Sequence, residues 1–209
     1  MFGLCDNSKL IGLGVISGEV NGYGKNGAIC GALSAVSTFD QIYTKSEVTV
    51  RLISLVSSTP YIGGLFGYLV NPANTIINNT YSKAKVISSS TRAGGFIGCL
   101  DNHNVSIINS YSNTTSASGN MIGLWLNCRT LTFINSYFNN ENGYASINFT
   151  SGCTTNGNAT GLNSIDLNNN ISNNLPPSLW CKGHLLNGIY FFKKIFFKIM
   201  QNLKKLNRI

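Results

Sequence analysis

The chain has 209 residues, a formal net charge of +8, and 43% hydrophobic and 11% aromatic residues. That is too much apolar side chain for a disordered polar chain. Asn (29), Ser (23), Thr (15) and Gly (22) dominate while only seven residues are acidic, which argues against a helix bundle and for strands joined by tight turns, an all-β fold.

The charge is uneven. Lys193, Lys194, Lys198, Lys204, Lys205 and Arg208 fall in the last 19 residues, which hold no acid. Residues 1–190 carry nine bases against seven acids, a net +2. No basic groove is expected there, and no nucleic-acid partner. No apolar run of roughly 18 residues could cross a bilayer as a helix. The start, MFGLCDNSKLIGLGV, lacks the basic head and apolar run of a signal peptide. The six cysteines (5, 30, 99, 128, 153 and 181) form no CxxC pair and no His/Cys cluster. No metal and no cofactor is expected; the thiols read as buried and free, with one or two disulfides left open.

In chain order, an internal repeat organises the sequence. A degenerate unit starts at Gly3. GAICGALSAVSTFDQIYTKSEV (27–48), GGLFGYLVNPANTIINNTYSKAKV (63–86), GGFIGCLDNHNVSIINSYSNTTS (94–116) and MIGLWLNCRTLTFINSYFNN (121–140) follow. The anchor glycines Gly3, Gly31, Gly67, Gly98 and Gly123 are 28, 36, 31 and 25 residues apart, giving about five units. In four of them the tyrosines Tyr43, Tyr81, Tyr111 and Tyr137 recur. Two positions earlier stand Gln41, Asn79, Asn109 and Asn135; four earlier stand Phe39, Ile77, Ile107 and Phe133. Period two predicts these three side chains on one strand face. Ile42, Thr80, Ser110 and Ser136 fall on the other.

Equal residues at one register predict units stacked in parallel, with a ladder of amides bonded to one another and a ladder of stacked rings. Such coils bury their apolar faces only by covering one another. At about 4.8 Å per rung, five coils make a rod roughly 25 Å long. Glycines inside apolar runs (YIGGLFGYL, RAGGFIGCL) predict bends or close backbone approaches. Asn71-Pro72 and Asp101-Asn102 predict turns.

The units GGLFGYL…NTIINNTYSKAKV and GGFIGCL…VSIINSYSNTTS resemble the GLUG-motif repeat. The resemblance is good over 63–137, fair over 27–48 and weak over 3–20, about two thirds of the chain. The first and last units lack the glycine pair. The resemblance implies a right-handed parallel β-solenoid (β-helix) over residues 1–150, in a cell-surface or secreted, adhesin-like protein. It brings no catalytic residues. The stretch 151–190 resembles the closing segment after such arrays, a cap in which Leu179 and Trp180 cover the last rung. The chain begins inside a coil without an N-terminal cap, so a piece of a longer array is expected.

Parallel β-helices can carry clustered carboxylates for glycan cleavage. Of the seven acids only Glu19 and Glu47 share a repeat register, where they could stack as an acid/base pair or calcium site. The plainer expectation is two solvated turn residues. Asp101 sits in a turn. His103 (DNHN) and His184 (KGHL) are expected on the surface. Six sequons, at Asn78, Asn104, Asn113, Asn148, Asn158 and Asn170, are no more than this composition gives by chance. In the basic tail, 191–209, Phe192, Ile195, Phe196, Ile199, Leu203 and Leu206 recur at helical spacing with lysines opposite. This predicts a short C-terminal amphipathic helix, able to make weak contact with an anionic membrane. The expected function is a non-enzymatic stalk or adhesive module binding an unidentified surface glycan or protein. A carbohydrate-active lyase or hydrolase and a membrane-associating protein are the alternatives.

Overall fold

The computed structural model describes residues 2–53, 60–71, 73–88, 92–114, 119–127, 129–141, 143, 145–149, 154–167, 180–182 and 190–192. The chain divides into two compact units, Met1–Ser164 and Ile165–Ile209.

The first unit is a parallel β-solenoid. Sheet A stacks Phe2–Cys5, Cys30–Leu33, Phe66–Val70, Ile97–Asp101, Ile122–Leu126 and Ile147–Phe149. Sheet B stacks Lys9–Ile11, Ser37–Asp40, Asn74–Asn78, Asn104–Ile108, Leu131–Ile134 and Thr155–Asn156. Sheet C stacks Gly14–Val15, Tyr43–Thr44, Tyr81–Ser82, Tyr111–Ser112, Tyr137–Asn139 and Thr160–Leu162. Two three-stranded sheets complete the coils. Sheet D holds Gly18–Gly22, Val48–Leu52 and Lys85–Ile87; sheet E holds Lys25–Gly27, Tyr61–Gly63 and Ala93–Gly94. Every pairing within these sheets is parallel, each strand lying on its copy in the next coil. The stack runs one rung beyond the five units and past residue 150, because the short strands at 155–162 still pair with the rung before them.

The core follows from this register. Leu33, Leu69, Leu100 and Trp125 occupy one inward column of sheet A, and Phe39, Ile77, Ile107 and Phe133 one of sheet B. All are buried in one cluster. Each such side chain contributes about 1.5–3 kcal/mol by leaving water, and only the neighbouring rung makes that burial possible. The anchor glycines Gly31, Gly67, Gly98 and Gly123 mark where sheet A passes over the backbone of sheet E. A Cβ on Gly67 would stand 2.5 Å from the Gly31 oxygen and 2.6 Å from the Asn26 nitrogen.

The amide position corrects the one-face expectation. Gln41, Asn79, Asn109 and Asn135 do not share a strand face with the tyrosines: each has φ between 47° and 57° and forms the corner between sheets B and C. Gly12 and Gly157 have φ of 69° and 73° at that corner in the first and last rungs. Asn and Gly are the residues that tolerate this left-handed backbone. A second column, Asn7, Asn71, Asn102 and Asn127, turns the chain from sheet A to sheet B in the same way. Ile42, Thr80, Ser110 and Ser136 are buried at the B–C corner, where the three hydroxyls each donate to the carbonyl two residues earlier at 2.7–3.0 Å.

The tail expectation is corrected at its start. Tyr190–Phe192 is a strand, paired antiparallel with Trp180–Lys182. Three aromatics in a row suit a strand once a partner supplies the ladder. Among the described residues the only helical turn is Ser164–Leu167. Leu179 and the rest of the expected helix, 193–209, lie outside the described residues.

Candidate functional site

Strand alternation gives sheet B an outward face. One column on it runs Lys9, Thr38, Ile76, Ser106, Thr132, Asn156. The next runs Ile11, Asp40, Asn78, Ile108, Ile134. Ile11, Ile76 and Ile134 stand 55%, 44% and 47% exposed, so the face mixes aliphatic and hydroxyl or amide groups, with Lys9 and Asp40 as its charged members in the first two rungs. At its A-side edge lies a shallow groove of about 340 Å³, lined by Asn74, Thr75, Ile76, Asn104, Val105, Ser106 and Thr130, none of them charged. Asn104 ties its rungs together: its Nδ2 donates to Asn74 Oδ1 at 2.7 Å, and its Oδ1 accepts from the Thr130 amide at 2.9 Å.

His103 lies next to this groove and is not the surface residue its DNHN turn predicts. It is fully buried. Nδ1 is 3.1 Å from the Val70 carbonyl and Nε2 is 2.9 Å from Thr75 Oγ1. Burial pushes its pKa below the ordinary value. The turn folds inward because Asn71 and Asn102, both left-handed, bend two successive rungs alike and leave the ring between them. His184 lies outside the described residues.

The tyrosines and the three asparagines of the ladder meet in columns, and Gln41 does not join the amide one. Tyr43, Tyr81, Tyr111 and Tyr137 face one another in register in sheet C. Ring centroids are 5.2 Å apart for Tyr43–Tyr81 and 5.1 Å for Tyr81–Tyr111, both stacked. Tyr81 and Tyr111 are buried, which raises the pKa of Tyr81 and removes these rings as a platform for a sugar. In the amide column Asn135 Nδ2 donates to Asn109 Oδ1 at 3.2 Å and Asn109 Nδ2 to Asn79 Oδ1 at 3.4 Å. Asn79 Nδ2 then donates at 2.8 Å to Asp40, not to Gln41.

A second aromatic cluster lies where the outward sides of sheets A and E meet. Tyr61 and Tyr68 stack at 4.6 Å, with Lys25 Nζ 4.4 Å from the Tyr68 ring centroid and Arg92 5.4 Å from that of Tyr61. Tyr68 donates to Asp101 Oδ2 at 2.7 Å, and Asn127 Nδ2 to Asp101 Oδ1 at 2.7 Å. Cys99 beneath them has its thiol pushed up to about 12 by burial, so it stays protonated and unreactive at neutral pH.

The acids are held by separate partners. Asp6 accepts from the Ser34 amide and hydroxyl, Glu19 from Asn21, Asp40 from Asn78 and Asn79, and Glu47 from Ser46. Glu141 accepts from the Ser164 amide at 2.9 Å and hydroxyl at 2.6 Å, which lower its pKa. Glu19 lies opposite Thr49, so the expected register with Glu47 is wrong: the turns before the two strands differ in length. No cluster of three His, Cys, Asp or Glu side chains could hold a metal among the described residues. Cys5, Cys30 and Cys99 are free and buried; Cys128 and Cys153 lie outside the described residues.

The outward column Thr38, Ile76, Ser106, Thr132 was legible only indirectly. Each member directly precedes or follows an inward apolar residue of the repeat, but the column has no shared residue type to announce it.

No protein-family model matches the chain. No curated protein matches it. Among solved structures it is similar to a crystal structure of a putative immunoglobulin A1 protease from Bacteroides ovatus, with a TM-score of 0.46 and 18% identity. That match covers 86% of this chain and 57% of the other, so the chain spans little more than half of that structure's length.

Proposed function

We propose that this chain is a non-enzymatic module of GLUG-type repeats from a cell-surface or secreted protein, and that the outward face of sheet B holds a neutral glycan. The observation that carries the reading is the uncharged groove, where amide or hydroxyl groups from three successive rungs lie beside the half-exposed Ile76. A polyol presents hydroxyls for such groups and C–H faces for the aliphatic ones, and an uncharged groove gives an acidic polymer no counter-charge. The separate partners of the described acids favour binding over glycan cleavage, which needs two carboxylates about 5–10 Å apart around one bond.

The test is a glycan array carrying neutral and acidic glycans, probed with the full chain and with Ile76→Lys and Thr132→Lys. Binding to neutral glycans that falls at least about tenfold in both variants is expected, since lysine there crowds and charges the face. Binding confined to acidic glycans, or unchanged by either substitution, overturns the reading. So does cleavage of any bound glycan.

A further inference from the structure

We propose that His103 is an acid-sensitive latch behind the groove of sheet B: gaining a proton breaks its bond to Thr75 and loosens the rungs that carry Asn74 and Asn104. It rests on the binding role of that face only for its biological use. The latch itself is a property of the unliganded fold.

The argument is one of donors and acceptors. The Val70 carbonyl can only accept, so Nδ1 carries the ring hydrogen and donates to it at 3.1 Å. Nε2 is then the acceptor, and the Thr75 hydroxyl donates to it at 2.9 Å. A second ring proton turns Nε2 into a donor facing a donor. Thr75 must reverse, and its own hydrogen then needs another acceptor in a site where both residues are buried. The new charge is buried as well.

Burial outweighs the Val70 and Asn71 carbonyls, which favour the charged ring, and the surrounding charges offer it no relief. The preceding rung presents Val70, Asn71, Ala73, Asn74 and Thr75, all uncharged. On its own turn, Asp101 is occupied on both oxygens by Tyr68 and Asn127. On the next turn, Arg129 is a cation, and its Nε donates to Asn102 Oδ1 at 2.7 Å. Burial lowers the pKa of the closed latch, whereas an opened latch titrates near the ordinary 6.5. The closed state is therefore fully favoured above about pH 6.5, and each unit below it multiplies the open fraction about tenfold until the closed form itself titrates.

Asn104 and Val105 report the latch, because their amides bond to Ala73 and Thr130 of the flanking rungs. Hydrogen exchange is measured on the full chain without ligand, at about pH 7.5 and about pH 5, and corrected for the intrinsic pH dependence. The expected result is exchange at Asn104 and Val105 about tenfold or more faster in acid, with Tyr81 and Tyr111 of sheet C unchanged and with the acid response absent in His103→Gln. An equal response in His103→Gln, or none in the native chain, overturns the latch. Should His103→Gln fail to fold, an NMR titration decides: His103 titrating at or above about 6.5 overturns it, and titration below that value together with the exchange response supports it. Because no glycan is present, failure of the glycan array leaves this result standing, and the reverse also holds.

Discussion

At the scale of the residue, the asparagines are set by backbone geometry before hydrogen bonding. Asn109 stands at φ 48° and also donates to Asn79. The two roles separate by substitution. Asn109→Ala should lose about 1–2 kcal/mol from the left-handed backbone alone, plus about 0.5–1.5 kcal/mol for each of its rung bonds, to Asn79 and from Asn135. Asn109→Gly should lose mainly the two bonds. Urea unfolding of the pair measures the difference, and an alanine variant as stable as the glycine one removes the conformational role. Gly67 is a steric requirement: a Cβ would press on backbone atoms of the neighbouring rung and of sheet E, which cannot rotate away. Gly67→Ala should cost about 1–3 kcal/mol, read from the same unfolding midpoint. The repeat made both positions visible as recurring letters. It did not separate a ladder from a corner, because Asn serves either purpose and the left-handed φ belongs to the folded backbone.

At the scale of the element, strands of two to five residues would not persist singly; they are held by register with their copies. The tyrosine column shows the gain. Beyond burial, a stacked pair adds about 0.5–1.5 kcal/mol. A double-mutant cycle with Tyr81→Leu and Tyr111→Leu should return a coupling of that size; a coupling near zero would mean the stack is only parallel burial. Tyr43, Tyr81 and Tyr111 stack because they recur at the first residue of a short strand, at a fixed offset from the inward apolar column. The Glu19–Glu47 pairing failed for the opposite reason: it rests on turn lengths, which vary between coils. Ser164 is another residue held by a partner distant in sequence, since Glu141 accepts from its amide and its hydroxyl. The folded carboxyl has a depressed pKa, so this tie is complete above the ordinary carboxylate value and lessens as pH falls through the lower folded one. Protection of the Ser164 amide, corrected for the intrinsic pH dependence of exchange, should fall in acid, and in Glu141→Gln it should be low already at neutral pH.

At the scale of the whole molecule, stability accumulates from rung-on-rung contacts, as in other stacked repeats. The unit Met1–Ser164 holds its own core and all three six-stranded sheets. A chain ending at residue 164 should therefore keep the β-sheet circular dichroism of the full protein and unfold cooperatively. Loss of that spectrum would show that Ile165–Ile209 is needed for folding. The histidine behind the groove belongs to this scale too, since one buried proton acceptor joins two rungs through Val70 and Thr75.

Repetition by itself determined the parallel solenoid, the inward columns and the tyrosine stack. Those features need only that equal residues recur at fixed offsets within each unit, and such offsets are local information. The tertiary structure decided what depends on contacts between coils: the left-handed corners, the sixth rung, the start of the Asn ladder at Asp40 and the burial of His103. A turn such as DNHN is polar in any window of sequence. Only the rung beside it, with a carbonyl and a hydroxyl in reach, makes the inside of the protein a favourable place for that imidazole.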